Sequence, residues 1–336
     1  DLDWHVLGLA TITPETTGAG TPAFVEGPDI YWTTNQLRGN EETAYFGEIA
    51  LDITDNLTAS YSARYFDFES SLTGFSGTIW WPSRFGPRGE PEINNDLRIS
   101  ESDSVSKFNL AYTVNNDLMV YGTYSEGYRP GGLNRLSVTA IAGAYQADIL
   151  TSYEVGMKGT FGDGRLRLNA AYYTQEWDDF QLSKIDTSVS VLTLTDNVGN
   201  AESDGIEIEG SYFITDNWDL NFGWSWIDSK LTESYWVNPA AEAAGAAPNA
   251  PAGNELPRVP ELKWNLSSRY NFNIGGMPAF VQGSLTSVGE SYNLLYDIDS
   301  TTRTRKKQGD YQVGHMAVGI ERDSWSAELY VKNITD

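Results

Sequence analysis

The feature that most constrains the fold is a repeated hairpin whose arms alternate apolar and polar residues. In the stretch GRLRLNAAYYTQEWDDFQ, Leu166, Leu168 and Ala170 fall on one side of an extended chain. Arg167 and Asn169 fall on the other side. A period of two residues predicts a β-strand with one apolar and one polar face. Because an apolar face can meet either a protein core or lipid, the rest of the sequence has to decide between a soluble sandwich and a membrane barrel.

The arms occur in pairs joined by tight turns. Asn, Asp and Gly in these turns suit the positive-φ and side-chain-capped positions of β-hairpins. The turns fall at Thr54–Asn56, Asn115–Asp117, Gly162–Gly164 and Thr215–Asn217, and within NIGGMP and ERDS. Each arm is about 10 residues long, which suits a tilted strand that crosses a bilayer. With an opening arm around Trp4–Thr13, the pattern predicts about 13 strands.

The connections between successive hairpins are long, roughly 20 to 36 residues, whereas long loops without secondary structure are uncommon in compact soluble domains. They are rich in Gly, Pro, Asn, Ser and acidic residues. Outer-membrane barrels have this asymmetry, with tight periplasmic turns and long extracellular loops. The sequence therefore predicts an all-β fold, an antiparallel transmembrane β-barrel in the bacterial outer membrane.

Aromatic residues fit the same arrangement, since the chain contains 11 Trp, 19 Tyr and 13 Phe. Trp218 and Trp325 follow short turns, where a periplasmic aromatic girdle is expected. An outer girdle is predicted from aromatics near the far ends of the strands: Tyr65, Phe66, Trp177 and Trp226.

The polar face predicts a hydrophilic barrel interior. The residues assigned to it are Glu154, Lys158, Arg167, Asn169, Glu207 and Glu209. Glu207 and Glu209 would lie roughly 7 Å apart on one strand, within reach of a carboxylate-pair mechanism. Paired carboxylates are also common wherever a sheet face is wet, and no other catalytic feature accompanies them. We expect a polar wall and no enzymatic activity.

Composition excludes several other classes of site. The chain has no cysteine, so it holds no disulfide, thiolate metal site or cysteine nucleophile. Two isolated histidines, His5 and His315, favour neither a zinc site nor a catalytic triad. A net charge of −24 argues against a nucleic-acid partner. No cofactor is expected.

Four stretches then follow one another as the motifs of a known family do. They are VYGTYSEGYRPGGLNR (120–135), SYEVGMKGTFGDGRLRLNAAYYTQEWDDFQ (152–181), NVGNAESDGIEIEGSY (197–212) and AELYVKNITD (327–336). In this order they resemble the motifs of the C-terminal part of the β-barrel of TonB-dependent outer-membrane receptors. The resemblance covers the chain from Trp4 onward.

The resemblance implies a longer protein and an uptake function. Such transporters have about 22 strands around a plugged lumen. We therefore expect residues 1–336 to be part of such a barrel, without its plug domain, its early strands and its final strand. The implied function is active uptake of a scarce solute, a ferric siderophore or similar metal chelate. The implied partners are the energy-coupling TonB complex, acting through the plug, together with outer-membrane lipid and lipopolysaccharide.

Solute recognition is expected in the long loops and the upper lumen. The candidate residues are Trp80, Trp81, Arg84, Tyr128, Arg129, Arg135, Arg303, Arg305, Lys306 and Lys307. Two alternatives stay open for them. The RPGG turn that follows Tyr128 would equally serve as a structural brace between loops. The basic residues 303–307 would equally bind lipopolysaccharide phosphates.

Two other functional classes compete with uptake. A passive porin would need no plug, so a plug domain before Asp1 would exclude it. The second alternative is a soluble β-rich glycan-binding protein or hydrolase. Membrane fractionation and heat-modifiable gel migration would distinguish it from a membrane barrel.

Overall fold

The computed structural model describes residues 2–9, 30–78, 93–134, 143–184, 193–298 and 303–335. The strands are β1 (Leu2–Leu9), β2 (Ile30–Thr54), β3 (Leu57–Thr78), β4 (Ile93–Asn115), β5 (Leu118–Arg129), β6 (Gly132–Leu133), β7 (Ala144–Tyr145), β8 (Asp148–Phe161), β9 (Leu166–Asp178), β10 (Gln181–Lys184), β11 (Leu194–Asn197), β12 (Ala201–Thr215), β13 (Trp218–Leu231), β14 (Leu262–Ile274), β15 (Met277–Val288), β16 (Ser291–Tyr292), β17 (Lys307–Gln308), β18 (Tyr311–Arg322) and β19 (Trp325–Lys332). One short helix, α1 (Pro239–Ala243), completes the described elements.

Within the residues that the structure describes, the main sheet has 13 antiparallel strands in the order β1-β2-β3-β4-β5-β8-β9-β12-β13-β14-β15-β18-β19. Each strand pairs with the next long strand along the chain, so the sheet is an up-and-down meander. The remaining strands form three two-stranded sheets, β6 with β7, β10 with β11 and β16 with β17. The predicted strand number is confirmed.

All tight turns lie at one end of the sheet, at the positions predicted. Two of them use the same capping device. The backbone N–H of Asn56 donates to Thr54 Oγ1 and that of Asn217 donates to Thr215 Oγ1, each over 3.3 Å. In a third turn the N–H of Asp117 donates to Asn115 Oδ1 over 2.9 Å. The long connections emerge at the opposite end, so the predicted asymmetry is confirmed.

Strands β2, β3 and β4 are much longer than the arms of about 10 residues that alternation predicted. They span 25, 22 and 23 residues. The predicted loop SSLTGFSGTIWWPSRFGPRGEPEINND begins inside β3, whose pairing with β2 continues past Arg38↔Leu72. The sequence concealed this extension because ladder hydrogen bonds need only backbone groups, and the added residues are mostly polar.

The two faces of the sheet separate as the alternation predicted. Residues opposite one another across neighbouring strands share a face, and Val155, Tyr172, Ile206 and Trp226 form one such row. Val155 is 59% exposed, as expected of a side chain that meets lipid instead of protein. The adjacent row on the other face runs through Gly156, Ala171, Glu207, Ser225 and Lys263.

The buried core of the described chain lies mainly in the long connections. One cluster, which we call the loop cluster, contains residues from different connections and strand ends. Its members include Phe180, Val198, Leu231, Tyr235 and Leu295. Helix α1 belongs to the connection between β13 and β14, with Asn238 as its N-cap. Among the described residues, no helix has the length and apolarity that crossing a bilayer requires.

Two aromatics predicted for the outer girdle lie elsewhere. Phe66 is 2% exposed, on the opposite face from its neighbour Tyr65, which is 48% exposed. Trp177 packs against the loop cluster. Both predictions were wrong because adjacent residues of a strand point to opposite faces, so a position near a strand end does not by itself place a ring in lipid.

Candidate functional site

The RPGG segment is held by an ion pair between the half-exposed Arg129 and the buried Asp148. The Arg129 guanidinium donates from Nε to both carboxylate oxygens of Asp148, over 3.0 and 2.9 Å. It also lies over Trp177, with Cζ 4.8 Å from the ring centroid. Asp148 is 1% exposed and accepts a further hydrogen bond from the backbone N–H of Gln181. Nη2 of the same guanidinium also donates to Oδ2, so the contact is bidentate and fixes the guanidinium plane. The pair ties the end of β5 to the start of β8 and to β10.

Side-chain amides extend this connection between loops. The Gln181 amide nitrogen donates to the carbonyls of Pro130 and Gln146, over 3.1 and 2.8 Å. Asn134 exchanges two hydrogen bonds with the backbone of Thr195, over 2.8 and 2.9 Å. We call Arg129, Asp148, Gln181 and Asn134 the loop brace. It joins the β5–β8 connection to the β9–β12 connection.

Tyr128 stands at the edge of this brace. Its ring stacks on Phe66 with centroids 3.7 Å apart. Its hydroxyl donates to Glu42 Oε1 over 3.0 Å, and the same carboxylate oxygen contacts the Arg64 guanidinium. The ring therefore connects β5 to the long hairpin of β2 and β3.

The polar face carries a concavity of about 400 Å³. Its lining includes five of the residues predicted to face the lumen, namely Glu154, Lys158, Asn169, Glu207 and Glu209. Arg167 lies two residues nearer the tight turn, opposite Thr160 and Ser211. Sequence reasoning missed three further lining residues: Tyr121, Lys263 and Asn265.

Hydrogen bonds organise this polar wall. The Tyr121 hydroxyl donates to Glu154 Oε1 over 2.6 Å, and the Asn169 amide donates to Glu209 Oε1 over 2.9 Å. The Lys158 ammonium lies 5.7 Å from the centroid of the Tyr121 ring. Acidic and basic groups of neighbouring strands thus share one surface, which suits a water-filled or protein-filled interior.

The basic segment, residues 303–307, pairs with the chain that precedes it. The backbone N–H of Lys306 donates to Asn293 Oδ1 over 2.6 Å, and Cζ of Arg305 lies 3.3 Å from the centroid of the Tyr292 ring. The Lys307 ammonium contacts Glu290 Oε2 at 2.6 Å. That hydrogen bond raises the pKa of Lys307 above its ordinary value.

Two polar atoms of the basic segment have no internal partner. Arg305 Nε and Thr304 Oγ1 are buried and make no hydrogen bond within the part of the chain that the structure describes. Lys306 is exposed. The segment therefore presents the Lys306 ammonium to solvent, whereas the Arg305 Nε donor lies inside the loop.

The sheet, its tight turns and its long connections agree with one protein family. The family model "TonB dependent receptor-like, beta-barrel" matches residues 2–334. The chain belongs to this family. Its members are outer-membrane transport receptors, and the sheet described above is the corresponding stretch of the β-barrel.

Relatives of this TonB-dependent receptor barrel support the assignment. The pesticin receptor of Yersinia pestis is 24% identical over 88% of this chain and 39% of its own length. The probable TonB-dependent siderophore receptor PiuA of Acinetobacter baumannii is 28% identical over 45% of this chain and 20% of its own length. The chain thus spans about two fifths of the pesticin receptor.

Solved structures show the same fold. The ferric yersiniabactin uptake receptor FyuA from Yersinia pestis superposes with a TM-score of 0.72, at 19% identity, over 92% of this chain and 42% of that receptor. The siderophore receptor PiuA from Acinetobacter baumannii gives a TM-score of 0.66 at 17% identity, over 92% of this chain and 40% of that receptor.

Several predicted recognition residues of this receptor barrel lie outside the described residues: Trp80, Trp81, Arg84 and Arg135. The structure separates the others into two places, with Tyr128 and Arg129 at the loop brace and Arg303, Arg305, Lys306 and Lys307 in the basic segment. Their contact with a solute stays a prediction. The contacts of Arg129 are those of a brace between loops, which was the alternative interpretation of the RPGG turn.

The brace partners were missed by sequence reasoning. Asp148 and Gln181 belong to separate segments, and neither stands in a pattern that marks an ion pair. A signal was present in the motifs themselves, because Asn134 closes RPGGLN and Asn197 opens NVGN. Asn in a Gly-containing loop often bonds backbone groups. Asn197 does so with the carbonyls of Gln146 and Asp179, over 3.1 and 2.6 Å.

Proposed function

We propose that the full-length protein takes up a ferric siderophore or a similar metal chelate across the bacterial outer membrane, driven by the TonB system. The observation that carries the proposal is the family match over residues 2–334. Relatives named as siderophore, pyoverdine and pesticin receptors support this class of solute. The loop cluster and the loop brace support it too, because they give the long connections a fixed arrangement in which a large solute can be recognised.

The polar wall is proposed to face the lumen and a plug domain. Glu154, Glu207 and Glu209 stand beside Lys158 and Lys263, so the wall offers charge-assisted hydrogen bonds of both signs. Such contacts can hold a domain firmly yet exchange for water when the domain is pulled. Energy coupling through the plug needs an interface of this kind.

Solute binding is assigned to Tyr128 and to the basic segment, with the residues predicted at 80, 81, 84 and 135 as further candidates. The positive charge of Arg305 and of the exposed Lys306 favours an anionic group on the solute. Lipopolysaccharide phosphate is the competing ligand of the same charge. Outer-membrane lipid is proposed to cover the apolar face.

The test is uptake of radiolabelled iron carried by a panel of siderophores. A strain lacking the full-length gene is compared with the same strain complemented by that gene. Gene-dependent accumulation that stops when the proton-motive force is collapsed is the expected result. Accumulation that is gene-dependent but persists after collapse would show a passive channel instead, and gene-independent accumulation of every chelate would remove the uptake proposal.

A further inference from the structure

The ladder between β4 and β5 ends well before either strand does. The last pair is Lys107↔Ser125, although β4 extends back to Ile93 and β5 forward to Arg129. Over Ser76–Ala63, β3 pairs with the other edge of β4. Above Lys107, no described strand pairs with the edge of β4 that faces away from β3. The chain that follows β5 instead contacts the face that carries Phe68, where the backbone N–H groups of Gly131 and Ala147 donate to the Glu101 carboxylate, each over 3.1 Å.

Carboxylates satisfy the first two amides of this edge. The backbone N–H of Ser106 donates to Glu126 Oε2 over 2.9 Å. The N–H of Ser104 donates to the side chain of Asp103 over 2.7 Å. Since alternate residues of a strand point their N–H groups the same way, the amides of Ser102 and Ser100 also point away from β3. Within the described ranges, no residue accepts a hydrogen bond from either of these two amides.

Serines 100, 102, 104 and 106 alternate along this segment, in ISESDSVSK. The side chains at 100, 102 and 104 are exposed and small. Larger side chains, charges and bulges commonly protect a strand edge from pairing with another chain. Small side chains leave room for a neighbouring strand at the usual spacing of about 4.8 Å.

The exposed face beside these serines is acidic. In register, Ser102 stands opposite Asp67 and Ser100 stands opposite Glu69, and both acids are exposed. Glu69 contacts the Arg98 guanidinium at 3.3 Å, whereas Asp67 makes no ion pair with another described residue. The other face of β3 is closed, with Phe66 and Phe68 buried. A strand added to β4 would place alternate side chains next to Ser100 and Ser102, two strand spacings or about 9.6 Å from the carboxylates of β3, a distance that long side chains can cover above the small serines.

We propose that the open edge of β4 at residues 96–102 is a docking surface for an extended basic segment of an extracellular protein. The segment adds to the sheet as a further antiparallel strand. Its backbone meets the amides of Ser100 and Ser102, and its Lys or Arg side chains reach across these serines toward Asp67 and Glu69. Main-chain bonds supply affinity in this mode, while alternate side chains supply selectivity.

The test uses the full-length receptor in detergent with two synthetic peptides, acetyl-TKTKTKT-amide and acetyl-TETETET-amide. Hydrogen exchange is measured with and without peptide. The expected result is that the lysine peptide slows amide exchange at residues 98–104 and that the glutamate peptide does not. Unchanged exchange at these residues with the lysine peptide at saturation overturns the proposal.

A matched pair of variants separates strand addition from general attraction to an acidic protein. Ser102→Pro removes one outward amide without changing charge, and proline is tolerated where the N–H of an edge strand faces solvent. Ser102→Ala keeps the amide. We expect at least a tenfold loss of lysine-peptide affinity for Ser102→Pro and less than a twofold change for Ser102→Ala. Equal affinity of both variants overturns the proposal.

A further variant covers the case in which the proline disturbs β4. Asp67→Lys with Glu69→Lys leaves the β4 backbone intact and reverses the charge of the exposed face. The preference should then move to the glutamate peptide, with exchange protection at the same residues. A retained preference for the lysine peptide contradicts the assignment of these two carboxylates.

Discussion

Arg129 Nε lies 3.0 and 2.9 Å from the two carboxylate oxygens of Asp148, a side chain that is 1% exposed. The pair fixes the RPGG segment against the next two connections, so the part of the receptor expected to meet solute rests on a buried charge. Removal of the guanidinium would leave that charge with one backbone donor from Gln181.

Arg129→Ala is expected to destabilise the full-length receptor by about 3 kcal/mol, because it leaves the buried Asp148 carboxylate without its counter-charge. The measurement is urea-induced unfolding in detergent, followed by tryptophan fluorescence. Arg98→Ala is the control, since its pair with Glu69 is exposed on both sides and should contribute less than about 1 kcal/mol. Equal losses for the two variants would contradict the buried brace.

The assignment of faces predicts unequal tolerance of charge at adjacent positions of β12. Ile208→Arg places a guanidinium on the apolar face and should cost about 2–4 kcal/mol near the bilayer midplane. Glu207→Arg places the same group on the polar wall and should cost much less. Both are measured as folding free energies in lipid vesicles. A larger cost for Glu207→Arg than for Ile208→Arg would show that the lipid-facing and lumen-facing sides have been assigned the wrong way round.

Sidedness can be read with single cysteines, because the chain contains none of its own. Ala247→Cys lies in the β13–β14 connection and Asp216→Cys lies in an exposed tight turn. A membrane-impermeant maleimide should label the first on intact cells, and the second only after the outer membrane is permeabilised. The unsubstituted receptor gives the background, and labelling of Asp216→Cys on intact cells would invert the topology.

Neutralising the basic segment tests whether the solute is anionic. Replacing Arg303, Arg305, Lys306 and Lys307 with Gln should weaken binding of the ferric chelate at least tenfold, equivalent to about 1.4 kcal/mol. The measurement uses purified receptor free of lipopolysaccharide, at low and at physiological salt, because exposed charges are screened beyond roughly 8 Å at physiological salt. Unchanged affinity would assign the segment to lipopolysaccharide.

Alternation and turn chemistry predicted the strands and their order because both are local. A hairpin turn such as Thr215–Asn217 and the arms beside it show the same pattern wherever they stand. The sequence could not predict the length of β2 to β4, since polar residues such as Ser70 and Ser71 interrupt the alternation where backbone pairing continues. It also misplaced Phe66, whose surroundings depend on Tyr128.

Parts of the candidate site were predictable to different degrees. Glu154, Lys158, Asn169, Glu207 and Glu209 were predicted as one face, because strand pairing carries a period of two from one strand to the next, and they do line one concavity. The loop brace was not predictable. Asp148 meets Arg129 and Gln181 only after the connections fold over one another, and no spacing in the sequence encodes that contact.

The consecutive strand order has a consequence for how such a barrel can arise and change. Every long strand of the main sheet is hydrogen-bonded to its neighbours in sequence, so each hairpin with its tight turn is a unit that can be added after the one before it. A growing sheet of this kind offers a single edge to the next hairpin. Duplication or exchange of a whole hairpin, with the long connection it carries, would preserve the partners of every other strand pair. Recombination between related genes can therefore replace a recognition loop without redesigning the wall that supports it.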